Sequence, residues 1–199
     1  MTHERNARVR LAQPADRAAV VATVRAAFRS DPGWGYLFGA DYGRLVDAFV
    51  TTLFDQRVRA GSAWITDDAS AVALWDPPGG SEPAPGDTAW KNYQRLAGPQ
   101  AWERLSKYDA AVHAAHEPGE FWYLGILATH PSRQGEGLAS TVIAPVLALA
   151  DADSLPCCLE TSTPQNRAFY ERRGFTYALP VALPDAPPTW WLTRPPGQR

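Results

Sequence analysis

At 199 residues the chain has the length of one domain, enough for a sizeable core and short for two. Its 45% hydrophobic and 20% charged residues are those of a folded globular protein, which excludes disorder except at the ends. With a net charge of −2 and Lys and Arg scattered along the chain, no basic stripe exists to neutralise a phosphate backbone, so nucleic acid is excluded as a partner.

In chain order, Met1 to Arg10 carries no apolar run of signal-peptide type, and nowhere do about 18 apolar residues follow one another. A cytoplasmic protein without membrane association is expected. Val9 to Leu11 reads as a short strand. Pro14-Ala-Asp16 then opens a helix to about Phe28, with Ala19, Val20, Val24 and Phe28 near helical spacing. Ser30 to Tyr36 is rich in turn residues and predicts a loop. A second helix over Tyr42 to Ala60 places Leu45, Phe49, Leu53 and Val58 on one side and ends at Gly61. Ser62 to Thr66 and Ala71 to Asp76 form a hairpin across Asp67-Asp68, stopped by Pro77 to Gly80. Past the proline-rich Pro83 to Pro85, Thr88 to His116 is mostly helical, broken near Gly98-Pro99, with Trp90 and Tyr93 on one face.

The most regular stretch comes next: strand Phe121 to Thr129, helix Gly137 to Ala150, strand Pro156 to Thr161, short helix Asn166 to Arg173, then strands near Thr176 to Leu183 and Thr189 to Thr193. This is an α/β pattern containing a βαβ unit. Pro195 to Arg199 reads as a tail. The two cysteines, Cys157 and Cys158, are adjacent on a strand and point to opposite faces, so they neither bridge nor gather a metal, and no metal is expected. Eight tryptophans exceed what such a core needs and suggest an aromatic-lined site, although large residues on a sheet account for them equally.

Between the strand ending at Thr129 and the next helix lies Gln134-Gly-Glu-Gly-Leu-Ala-Ser140. Glycines let the backbone aim its N–H groups at one point, and a helix N-terminus leaves those groups unpaired at the positive end of the macrodipole. Such a turn suits a pyrophosphate. It also serves as a plain strand-to-helix connection. Gly135 to Ser140 approaches a dinucleotide fingerprint, with Glu160 in place of the ribose-binding acid. Five residues separate strand from glycine, however, and too little chain remains for the other parallel strands, which disfavours NAD.

Gln134-x-x-Gly137-x-Ala139 resembles the signature with which GNAT acyltransferases hold the pyrophosphate of CoA. Leu124 to Pro131 is similar to that superfamily's central strand. Leu159-Glu-Thr161 together with Asn166 to Phe175 is similar to its closing strand–helix motif. Within the superfamily the puromycin N-acetyltransferases resemble nearly the whole chain, including Val9 to Leu11, Trp64 to Asp68, Pro145 and Thr189-Trp190. The match is weakest over Ser30 to Arg59 and Pro77 to Glu120.

The resemblance implies one GNAT domain over residues 1–199, with core motifs in 121–175 and acceptor-binding segments in 30–59 and 77–120. It implies a mixed central sheet with splayed parallel strands flanked by helices. The donor is then acetyl-CoA or another acyl-CoA, with the pantetheine arm beside Leu127, Ala128 and Thr129, and the Leu127 N–H facing the thioester oxygen. Gly135, Glu136, Gly137, Leu138, Ala139 and Ser140 would hold the pyrophosphate with Gln134 and Asn166. Arg133 is either a further phosphate partner or a solvated charge. Tyr170 corresponds to the tyrosine expected to protonate the leaving thiolate, or it packs its helix. Glu160 is either the base that takes the amine proton or an anchor of the adjoining loop. Phe121 departs from a polar residue common in relatives, so no base is carried over there, and His116 fits a structural or acceptor-site role.

The acceptor is expected between the Trp34–Phe38 segment and the helix of Trp90 and Tyr93, giving substrate contacts at Trp34, Tyr36, Trp90 and Tyr93. Aromatic walls suit a planar or cationic amine of a small molecule such as an antibiotic or biosynthetic intermediate. One-sided aromatics equally serve a core. A carrier-protein thioester as donor, or a non-catalytic CoA-binding module, are the competing readings.

Overall fold

Short apolar strands that alternate with helices have to bury one face against a neighbour, and among the described residues seven of them join in one sheet. A computed structural model describes residues 7–80, 88–115 and 119–197. The Pro83–Pro85 segment and His116 lie outside the described residues. The strands are β1 (Val9–Leu11), β2 (Ala63–Thr66), β3 (Ala71–Asp76), β4 (Trp122–Thr129), β5 (Cys157–Thr161), β6 (Tyr177–Pro180) and β7 (Trp190–Arg194), in the order β1-β2-β3-β4-β5-β7-β6. Only β4 and β5 run parallel; the other neighbours are antiparallel.

The helices are α1 (Arg17–Ala27), α2 (Pro32–Phe38), α3 (Tyr42–Arg59), α4 (Ala89–Ala115), α5 (Leu138–Asp153) and α6 (Pro164–Glu171). Strand alternation sends Val72, Leu74, Ile126 and Ala128 to one face, against Val20 and Val24 of α1 and Val50 and Phe54 of α3. The opposite face presents Ala71, Ala73, Trp75 and Leu159 to Val142, Ile143 and Val146 of α5. The result is the α/β architecture expected, a mixed sheet between helical layers. Among the described residues no helix is long and apolar enough to cross a membrane.

Two helix breaks obey the sequence signals. Gly61 takes a left-handed φ of +67° after α3, letting the Ser62 N–H close on the Arg57 carbonyl at 2.9 Å. Gly98, at φ 74° and ψ 173°, kinks α4 just before Pro99. The loop expected over Ser30 to Tyr36 is instead helix α2. Asp31, in extended conformation, accepts the Trp34 N–H at 3.0 Å, and Pro32 occupies the first turn, where a missing N–H costs nothing. Trp34 stacks on Phe28 with centroids 4.1 Å apart, while Leu37 and Phe38 bury themselves. The Asp-Pro pair that reads as a turn is also a helix start, and tertiary packing decides between them.

A bulge in β4 sets which edge of that strand is left open. Trp75 pairs with Leu124 and Leu74 with Ile126, leaving Gly125 as an extra residue. Leu124 and Ile126 therefore face opposite layers although they are two residues apart. Beyond the bulge the His130 N–H donates to the Ser70 carbonyl at 2.8 Å, so the peptide groups of Ala128 and Ile126 serve β3. Those of Leu127 and Thr129 face the other edge. There β5 has already diverged, since its pairs with β4 are Trp122–Cys157 and Tyr123–Cys158.

Candidate active site

The splay between β4 and β5 opens onto two features: the glycine turn before α5 and a cavity beneath the sheet edge. In the turn, Gly135 and Gly137 adopt φ of +86° and +78°. A Cβ on either would meet no atom within 4 Å, so the backbone angle, not crowding, demands glycine there. Gly137 is the N-cap of α5 and offers no side chain to the first N–H groups of that helix; the Ser140 N–H bonds the Gly137 carbonyl at 3.0 Å. Gln134 turns back to donate from Nε2 to the Thr129 carbonyl at 3.3 Å.

Arg133 is committed elsewhere. Its Nε bonds the Glu136 carboxylate at 2.9 Å and its Nη1 the Asp68 carboxylate at 2.8 Å. Hydrogen bonds from Ser70 first, then from Thr66 and Arg133, hold the Asp68 carboxyl far below its usual range. Glu136 thus turns to Arg133. The basic residue that reaches the helix start is Arg173, whose guanidinium donates to Ser140 Oγ and, at 2.7 Å, to the Phe169 carbonyl. It also stacks over the Phe169 ring at 3.5 Å. No sequence signal singles out Arg173, because nothing local links it to Ser140, 33 positions away.

The cavity has a volume of about 790 Å³ and is lined by Leu127, Asn166, Tyr170 and Glu160 among others. Glu160 extends from β5 on the same sheet face as Tyr123, whose hydroxyl donates to its Oε2 at 2.5 Å. Burial pushes the Glu160 carboxyl up to about 7, against hydrogen bonds from Tyr123 and Tyr108 that favour the charged form. Tyr123 is fixed from behind by stacking on Trp191, with centroids 5.8 Å apart and planes 10° from parallel. Tyr108 reaches the same region from α4, bonding toward Ser162 and Thr189 as well.

Tyr170 lies in the last turn of α6, whose first turn is fixed by Thr163 accepting the Asn166 N–H at 3.2 Å. Its buried ring packs edge-on against Phe169 and Phe175. Burial, then the nearby Glu160 carboxylate, raise its hydroxyl pKa well above normal, so it is protonated at neutral pH. The expected acid and base therefore open on one chamber.

The aromatic residues expected at the acceptor separate into two groups. Trp34 and Trp90 line the cavity, whereas Tyr36 and Tyr93 are not among its lining residues. Tyr93 is core, packed on Phe49, Trp90 and Trp102. Tyr36 is half-buried at the edge of the same cluster. Also on the wall is an ion pair that no sequence motif announces: buried Arg57 binds Asp76 at 2.5 Å and Gln56 at 3.1 Å.

A family model for the acetyltransferase (GNAT) family matches residues 71–175, from the start of β3 to Phe175, just beyond α6. An uncharacterised N-acetyltransferase of Schizosaccharomyces pombe is 25% identical over 182 residues, 84% of this chain and 74% of that protein. A Corynebacterium glutamicum protein, described as histone acetyltransferase HPA2 and related acetyltransferase, superposes with TM-score 0.63 at 21% identity, covering 97% and 98% of the two chains. The Drosophila melanogaster polyamine N-acetyltransferase superposes with TM-score 0.62 at 11% identity, covering 96% and 100%. With the family match running through the splayed strands, the glycine turn and the Tyr170 helix, this chain belongs to the acetyltransferase (GNAT) family.

Proposed function

We propose that the protein transfers an acetyl or other short acyl group from CoA to an amine of a small molecule. The observation that carries this reading is Glu160 and Tyr170 lining one cavity beside the unpaired edge of β4. The residues present fit CoA: α5 starts without a side-chain cap on its first N–H groups, and the buried Thr129 Oγ1 has no hydrogen-bond partner among the described residues. Gly135 to Ser140 would take the pyrophosphate, with Arg173 replacing Arg133 as the nearby cation. Asn166 and the peptide groups of Leu127 and Thr129 would line the arm.

In this reading Glu160 takes a proton from the acceptor's ammonium, and its pKa near 7 suits that exchange. The freed nitrogen attacks the thioester carbon while the Leu127 N–H donates to the carbonyl oxygen as charge builds on it. As the C–S bond breaks, Tyr170 gives its proton to the sulfur. The proton left on nitrogen restores the Tyr170 hydroxyl, and Glu160 releases its own to water. An antibiotic or a biosynthetic intermediate is the acceptor we propose, because Trp34 and Trp90 on the cavity wall suit a planar or cationic amine. Carrier-protein donors call for free basic surface at the splay, and the pairing of Arg133 with Asp68 and Glu136 favours CoA instead.

Incubating the protein with acetyl-CoA and an amine library, while mass spectrometry tracks free CoA and acylated amines, tests the reading. Stoichiometric CoA and N-acyl product support it. CoA binding with no turnover over the whole library supports the non-catalytic module.

A further inference from the structure

Among the described residues the ionisable side chains lining the cavity, tyrosines apart, are Asp31, Arg57, Asp76, Asp109, His113 and Glu160. Arg57 and Asp76 neutralise each other at 2.5 Å. At the exposed rim, His113 lies 3.5 Å from the Asp109 carboxylate. Asp31 and Glu160 remain, and no described Lys or Arg lies within ion-pair distance of either. Both are half-buried; a carboxylate drawn partly out of water without a cation carries a cost that a cation arriving from solution removes.

Asp31 is close to the reacting end of the chamber. A methyl group on Gly33 would stand 3.2 Å from Asp31 Oδ1 and 2.9 Å from Ser162 Oγ, two residues beyond Glu160. Asp31 and Glu160 both press on the hydroxyls of Tyr108 and Tyr170. Capping of α2 does not account for the charge on Asp31. The cap needs one acceptor oxygen, which Ser or Asn supplies as well as Asp. From Asp31 an unbroken aromatic wall leads away: Phe28 stacks on Trp34, Trp34 meets Phe49 at 6.1 Å, and Phe49 meets Trp90 at 5.9 Å.

Resting on the transferase activity proposed for this site, we propose that the acceptor is a dication with an apolar, preferably aromatic, body. Its reacting amine meets Glu160, its second cationic group meets Asp31, and its body lies along the Phe28–Trp34–Phe49 wall, whose ring faces also favour positive charge. Asp31 is then the residue that selects two charges over one.

Calorimetry of the intact protein tests this without turnover. The probes are 1,4-bis(aminomethyl)benzene against 4-methylbenzylamine, and 1,4-bis(2-aminoethyl)benzene against its monoamine counterpart. For at least one span the diamine should bind about tenfold or more tighter than the monoamine. Asp31→Asn, which keeps a cap, should bring that ratio near one without weakening the monoamine, and Asp31→Ser repeats the test should the first variant melt early. No preference in wild type, or a preference that survives both substitutions, overturns the proposal. CoA release measured in parallel separates the two claims. A diamine preference without CoA release leaves Asp31 as the selector and removes the transferase, whereas release that is equal for monoamines and diamines removes Asp31's role alone.

Discussion

The Tyr123 hydroxyl lies 2.5 Å from Oε2 of Glu160, each on one of the two parallel strands, 37 residues apart in the chain. This bond joins the strands on the cavity face where their backbones have begun to part, and it partly offsets the effect of burial on the acidity of Glu160. Burial raises the carboxyl; the Tyr123 hydrogen bond opposes it by favouring the anion.

Glu160 should impose a rising acid limb on kcat/KM. With the carboxyl at about 7, the unprotonated base grows as pH passes from 6 to 8. Glu160→Gln is expected to lose about 10²-fold or more in rate and to flatten that limb for amines protonated at neutral pH. Equal loss for already neutral amines would assign Glu160 to structure.

The raised carboxyl also makes stability depend on pH. The folded pKa exceeds the unfolded value of about 4.5, so the folded protein holds more protons between those values. The stabilisation is complete below about pH 4.5 and is lost as pH rises through about 7, on the order of 3 kcal/mol. Urea titrations from pH 4 to 8 should show this loss in wild type and little of it in Glu160→Gln.

Tyr123→Phe removes a donor to the anion and keeps the ring on Trp191. The acid limb should move up by about one unit, the value of a hydrogen bond to a charged group. A profile superimposable on wild type would deny Tyr123 any positioning role.

Much of this fold is legible in the sequence because the signals are local. Gly61, Asp67-Asp68, Gly98-Pro99 and the Gln134–Ser140 turn each determine a backbone event within a few residues, and the strand and helix bounds around them agree with the structure to a residue or three. Resemblance supplies Tyr170 and Glu160 but not their setting. Tyr123, Asp31 and the Arg57–Asp76 pair are unreadable because their partners are brought together by the bulge at Gly125 and by helix packing, which no local period records. Helix α2 is hidden for a related reason: Asp31-Pro32 is ambiguous until Trp34 finds Phe28.

Gly137 is left-handed at +78° in open space, so Gly137→Ala costs backbone strain alone, about 1–2 kcal/mol. If the turn holds a pyrophosphate, calorimetry should show acetyl-CoA affinity reduced about tenfold, and Gly137→Trp should abolish binding. Wild-type affinity in both would remove the turn from the site.

Asp76→Asn strands the Arg57 guanidinium, which is only 8% exposed. A loss of about 3–5 kcal/mol is expected in urea unfolding, with the Arg57→Met/Asp76→Leu double variant much closer to wild type.

Tyr170 and Glu160 are proposed to act on the two ends of one transfer, and Tyr170→Phe probes that division of roles. The substitution removes one hydroxyl and leaves the ring packed on Phe169 and Phe175. Steady-state rates with acetyl-CoA and with a thioester of a more acidic thiol are the measurement. A fall in kcat of about 10² or more with acetyl-CoA, a smaller fall with the better leaving group, and unchanged CoA affinity are predicted. A kcat within about threefold of wild type for both donors would return Tyr170 to packing alone and contradict the division.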